Sequence, residues 1–146
     1  MRFSKIISAS ALALGLATTA QAQDVNKLVT ILTAPEPQTQ LMAMVLTMNA
    51  MAAGAEAEVL LCGPAGDLAL QDAPESATAG QPPRDASPQG LMQMMMANQG
   101  LKVQVCAIYL PGRGEDASVL VDGVTAAAPD AMGAAIVAPG TTVMSF

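Results

Sequence analysis

Residues 28–63 read LVTILTAPEPQTQLMAMVLTMNAMAAGAEAEVLLCG, and this stretch decides the fold. Leu28–Ala34 is short, apolar and rich in β-branched residues, and Pro35 and Pro37 close it, which is how a buried strand reads. In the next segment the apolar positions Leu41, Met44, Val45, Met48 and Met51/Ala52 recur at helical spacing. Gln38 or Thr39 opens this helix, and Gly54 closes it as a glycine just past a helix end does. Ala57–Gly63 is a second apolar strand. Strand, helix, strand with a connection of this length predicts a right-handed βαβ unit with parallel strands.

The pattern repeats toward the C-terminus. Residues 63–88 are rich in Gly, Pro, Ala and Asp and read as a long loop, with a helical turn allowed at 66–72. Ser87 is placed as the N-cap of a second helix, with Pro88 at its first position and Gly100 at its end. Residues 101–110, LKVQVCAIYL, read as a third strand, followed by the turn PGRG. A short helix is expected over Glu115–Leu120, a short strand around Val124, a last helix entered at Pro129-Asp130, and a final strand TTVMSF. Apolar strands alternating with helices predict a three-layer α/β/α sandwich around a five-stranded, mainly parallel sheet.

The N-terminal 22 residues are set apart as a secretory signal peptide. Arg2 and Lys5 form a positive start, Ile6–Ala20 is apolar, and Ala20-Gln21-Ala22 has the form of a cleavage site. The domain is then 23–146, with the Gly/Pro-rich loop 63–88 inside it, in a periplasmic or secreted protein. Without the leader, four Lys and Arg face twelve Asp and Glu, so nucleic acid and anionic lipid are not expected partners. The chain has no His. That removes an imidazole base for a Ser or Cys nucleophile and any His-ligated metal, and two Cys alone build no zinc or iron–sulfur site. No cofactor is expected.

Cys62 and Cys106 both fall at the C-terminal ends of predicted parallel strands, the edge where open α/β sheets place ligands and reactive groups. Export exposes them to oxidising conditions. Arg113 follows Cys106 by seven residues, and PGRGED offers a turn beside it. A cation near a cysteine stabilises the thiolate; the plainer reading pairs Arg113 with Glu115 or Asp116. Tyr109 is read as packed, with its hydroxyl free to donate a hydrogen bond.

At LKVQVCAIYLPGRG, residues 101–114, the chain resembles the DsrE/DsrF-like family of small sulfur-handling proteins. There a strand of the form Gly-Val-x-Val-x-x-Cys leads into a loop carrying Arg-Gly. ILTAP, AGAEAEVLLCGPAGDLAL, DGVTAAAP and TTVMSF are similar to other segments of that family, so the resemblance spans residues 26–146. It implies a five-stranded sheet in the order 4-3-2-1-5, a trimer or hexamer, and Cys106 as the residue that accepts sulfur as a persulfide. Arg113 and Gly114 would stabilise its anion, and a sulfur donor or acceptor protein would be the partner. Export, Cys62 and the Pro-rich loop depart from the family's cytoplasmic relays. Cys62 admits three roles: inert core, disulfide partner of Cys106, or resolving thiol. Strand order decides, since neighbouring strands bring the two Cα atoms to bridging distance and an intervening strand does not.

Eight methionines fall in LMAMVLTMNAM and LMQMMM. Thioethers suit Cu(I), and they also fill cores that lack aromatic residues. Two functions therefore stand at this stage: thiol or sulfur chemistry at Cys106, or a non-catalytic oligomeric or copper-binding protein with structural cysteines.

Overall fold

The structure, a computed structural model, describes residues 26–146; the leader reading at 1–22 lies outside them. Strands β1 (Lys27–Leu32), β2 (Glu56–Leu61), β3 (Lys102–Val105), β4 (Thr125–Ala126) and β5 (Thr141–Ser145) form one sheet. Its order is β4-β3-β2-β1-β5, and every pairing is parallel. Helix α1 (Pro37–Ala52) joins β1 to β2, and α3 (Pro88–Gln99) leads into β3. Helix α5 (Pro129–Val137) joins β4 to β5.

Right-handed crossovers explain the layers. The chain steps in one direction from β1 to β4, so those crossovers lie on one face. It then reverses to place β5 beside β1, which sends α5 to the opposite face. The burial pattern follows strand alternation. Leu28, Leu32, Val59, Leu61, Val103 and Val105 join the larger core with Met44 of α1 and Met92 and Met95 of α3. Val29 and Leu60 point the other way and pack with Ala127 and with Met132 of α5.

Local signals place α3 as expected. The Ser87 hydroxyl accepts a 3.1 Å hydrogen bond from Gly90 N–H, and Gly100 closes the helix at φ 72°, where a side chain would be strained. Helix α1 differs from its apolar pattern. Its buried positions are Gln40, Ala43, Met44 and Thr47, while Leu41, Val45 and Met48 are half-buried. The seam is rotated because the two polar residues find partners inside. Gln40 Nε2 donates to the Ala34 carbonyl at 2.8 Å, and the Thr47 and Thr30 hydroxyls bond at 2.8 Å.

Beyond β2 and β3 the chain is more ordered than its composition signals. Gly63–Ala69 is a 3-10 segment that buries Ala65, Leu68 and Ala69, and Glu75–Thr78 is a single helical turn, α2. Strand β3 stops at Val105, four residues into the run 101–110, and Tyr109–Arg113 is a helical turn, α4. Tyr109 and Leu110 are buried from a helix rather than a strand, and an apolar run alone does not separate the two. The helix expected at Glu115–Leu120 is a 3-10 turn over Ala117–Val119, capped by Asp116 accepting from Ser118 N–H at 2.8 Å.

The methionine reading resolves into packing for the inner residues. Met44, Met92 and Met95 are fully buried, whereas Met42 and Met94 are exposed. Met95→Ala is expected to lower unfolding free energy by about 2–5 kcal/mol, the cost of a core cavity, while Met42→Ala stays within about 0.5 kcal/mol. Urea denaturation of the two variants measures the contrast.

Candidate functional site

Leu61 of β2 stands opposite Val105 of β3 in the parallel register. The next residue on each strand is a cysteine. Cys62 N–H bonds to the Leu32 carbonyl at 3.0 Å, and Cys106 N–H to the Leu61 carbonyl at 2.8 Å, so the ladder reaches both. Neighbouring strands lie about 4.7–4.9 Å apart, and here the Cα atoms of Cys62 and Cys106 are 5.1 Å apart. Cys62 packs against the cluster on the α5 face, Cys106 at the sheet edge touches both that cluster and the larger core, and the two sulfurs form a disulfide. Of the three roles open to Cys62, the structure holds the disulfide partner.

Both cysteines are half-buried. Beneath them lie Leu60 and Val29, with Ile31 and Ile136 alongside. Depressions of about 330 and 550 Å³ lie elsewhere: one at the N-terminal edge beside Lys27 and Lys102, the other between α3 and Val121–Gly123. The pair sits at the C-terminal sheet edge, as the strand reading expects, but away from the point between β1 and β5 where strand order reverses.

The segments that follow the two cysteines are clasped to each other. Tyr109, 8% exposed, donates its hydroxyl to Asp67 Oδ1 at 2.6 Å. The Arg113 guanidinium lies 5.5 Å over the Tyr109 ring, donates to Asp67 Oδ1 at 3.2 Å and pairs with Glu115 Oε2 at 2.7 Å. Farther along, Gln71 N–H bonds to the Val119 carbonyl at 2.9 Å, and Val121 N–H to the Ala69 carbonyl at 2.8 Å. The Tyr109 bond to a carboxylate is worth about 1.5–3 kcal/mol. The Arg113 guanidinium is open to solvent, which screens its pairs with Asp67 and Glu115, so the buried phenol dominates the clasp. Gly66 lets the ring sit this close, because a Cβ there would overlap the Tyr109 ring.

Arg113 therefore has carboxylates and an aromatic face as its partners, which includes the pairing with Glu115 read as the plainer alternative. Gly114 takes φ 69° and ends α4. Asp67 was not singled out in the sequence. It lies 42 residues from Tyr109, and no local spacing links the two. Among the described residues no group of three or more His, Cys, Asp or Glu is placed to hold a metal ion, and no helix is long and apolar enough to cross a membrane.

No protein-family model matches the chain, and neither does any curated protein. Solved structures do share the fold. One is a protein of unknown function, MTH1491 from Methanobacterium thermoautotrophicum, at 16% identity and TM-score 0.62, covering 84% of this chain and all of that one. Another is the ychN protein from E. coli, at 15% identity and TM-score 0.63, with the same coverage. The likeness is one of fold: a five-stranded parallel sheet flanked by helices.

Two outcomes follow from this geometry. Burial, then the hydrogen bond and charge of Asp67, push the Tyr109 phenol well above its ordinary value of 10.0, although Arg113 opposes them. The raised value means that the stability Tyr109 adds is complete below pH about 10 and is lost as pH rises through the folded-state value. Phenolate absorbance during alkaline titration should show a midpoint above that of free tyrosine, and Asp67→Asn should bring it down. Separately, the disulfide closes a loop with a sequence separation of 44. Chain entropy assigns that about 4 kcal/mol, so Cys62→Ser should lower the unfolding free energy by roughly that amount in urea.

Proposed function

We propose that the chain is an exported thiol-handling protein of the DsrE-like type, with Cys106 as its sulfur-reactive residue and Cys62 as its redox partner. The observation that carries this reading is the disulfide at the C-terminal ends of β2 and β3. Such an edge collects reactive groups in open α/β sheets, and both cysteines are only half-buried, which suits thiol exchange. The strand order β4-β3-β2-β1-β5 is the order that the resemblance of residues 101–114 to that family implies.

The chemistry needs no histidine. A reduced Cys106 thiolate attacks the outer sulfur of a persulfide or polysulfide, forms Cys106–S–SH, and releases the donor's thiolate. Arg113 acts as a positioning residue, holding α4 against Asp67 so that the Cys106 segment keeps its shape. Self-association fits the exposure of Met42 and Leu46 on α1 and Met94 on α3. A sulfur donor or acceptor protein would meet the open edge rather than a deep pocket.

The competing reading, a non-catalytic protein whose disulfide is structural, makes a different prediction. After mild reduction of the folded protein, the sulfur-handling reading expects Cys106 to alkylate at neutral pH well ahead of a free cysteine in the unfolded chain. It also expects Cys62→Ser to gain the mass of one sulfur atom from a persulfide donor, a gain lost in Cys106→Ser. Intact-mass spectrometry reads both. A Cys106 that stays unlabelled while the chain is folded, with no sulfur uptake in Cys62→Ser, supports the structural role instead.

A further inference from the structure

The disulfide shows more than proximity. It shows that the sulfur atoms of Cys62 and Cys106 reach bonding contact on the native backbone. The bonds that place them do not involve sulfur: the backbone bonds from Cys62 N–H to the Leu32 carbonyl and from Cys106 N–H to the Leu61 carbonyl, and the side-chain bond from the Tyr109 hydroxyl to Asp67. Reduction therefore leaves two thiols side by side on neighbouring strands. Any persulfide formed on Cys106 has its inner sulfur beside the Cys62 thiol.

Resting on the sulfur-handling reading above, we propose that the chain is a persulfide reductase half-reaction and not a storage carrier: Cys62 expels the sulfur that Cys106 accepts, as sulfide. The Cys62 thiol loses its proton to solvent. The resulting thiolate attacks the Cys106 Sγ atom, the Sγ–Sγ bond forms, and the bond from Cys106 Sγ to the outer sulfur breaks. The outer sulfur leaves as HS⁻ with the proton it already carries. Two electrons pass from the cysteine sulfurs to the sulfane sulfur, and the product is the observed disulfide. A dithiol reductant then restores both thiols by two exchange steps and becomes oxidised itself. The net change is persulfide plus dithiol giving thiol, sulfide and disulfide. The alternative attack, on the outer sulfur, only moves the persulfide to Cys62 and returns it.

The arrangement fits an oxidising compartment, where a persulfide is exposed to uncontrolled exchange. The substrate class is a small or protein-bound persulfide that can approach an open sheet edge. Neither depression described above adjoins the cysteines. The consequence is a short-lived intermediate. Two groups preset for reaction gain an effective molarity far above any free thiol concentration.

The test is a single turnover of the fully reduced full chain with glutathione persulfide and no reductant, followed by rapid acid quench, intact mass and sulfide trapping. In the unsubstituted protein, sulfide should appear together with the Cys62–Cys106 disulfide. In Cys62→Ser the sulfur should stay on Cys106, with a lifetime at least about 100-fold longer, the scale expected of an intramolecular attack. Sulfide should then appear only on adding dithiothreitol. If the unsubstituted protein holds Cys106–S–SH as long as Cys62→Ser does, the expulsion step is wrong while sulfur acceptance stands. If Cys62→Ser traps glutathione on Cys106 instead, the donor is attacked at its inner sulfur and the proposed order of steps is overturned. If neither protein takes up sulfur, the expulsion step and the sulfur-handling reading fall together.

Discussion

One pairing governs the chemistry: Leu61 beside Val105 in a parallel ladder. Because β2 and β3 are neighbours with no strand between them, the residues just beyond those positions stand about one strand spacing apart. Both are cysteine. A shift of one residue in that register would turn one sulfur to the opposite face of the sheet. The disulfide is thus a consequence of register, and register follows from which side chains enter the core. Val59, Leu61, Val103 and Val105 are all but fully buried on the α1 and α3 face, which leaves Cys62 on the α5 face and Cys106 beside it at the sheet edge, where it touches both clusters.

The two faces of the sheet are covered unequally, and the site benefits. Helices α1 and α3, with α4 and the 3-10 segment Gly63–Ala69, enclose a core that includes Met44, Met92, Met95 and Leu68. The opposite face has α5, nine residues long, over a smaller cluster of Val29, Leu60, Ala127 and Met132. A cysteine pair on the first face would be sealed inside. On the second it is half-exposed and can meet another sulfur.

The fold was legible because its signals are local. Alternating apolar strands, the Ser87 cap with Pro88, and Gly54 and Gly100 past helix ends each act within a few residues. The cysteines were legible as strand-end residues, yet their pairing was not, because it depends on strand order. That order entered only through the resemblance of residues 101–114 to a known family. The clasp was legible on one side only. Tyr109 and Arg113 stood near Cys106, whereas Asp67 comes from the other strand's loop and carries no pattern that marks it. Apolar periodicity placed α1 correctly but not all of its buried positions, and it read the end of the third strand as extended. The buried face of α1 includes Gln40, whose Nε2 bonds to the Ala34 carbonyl, and Thr47, whose hydroxyl bonds to that of Thr30, and Tyr109 and Leu110 extend an apolar run that the backbone folds into a turn.

The most direct test of the account is whether the native Cys62–Cys106 bond exchanges with a small dithiol while the chain stays folded. Reduction by dithiothreitol in buffer without denaturant can be followed by mass after alkylation, with circular dichroism as the control for structure. The account predicts complete reduction with the secondary structure retained, because the strand ladder and the clasp hold both loops without the sulfur bond. A disulfide that resists reduction until the domain unfolds would contradict it and make the bond a structural staple.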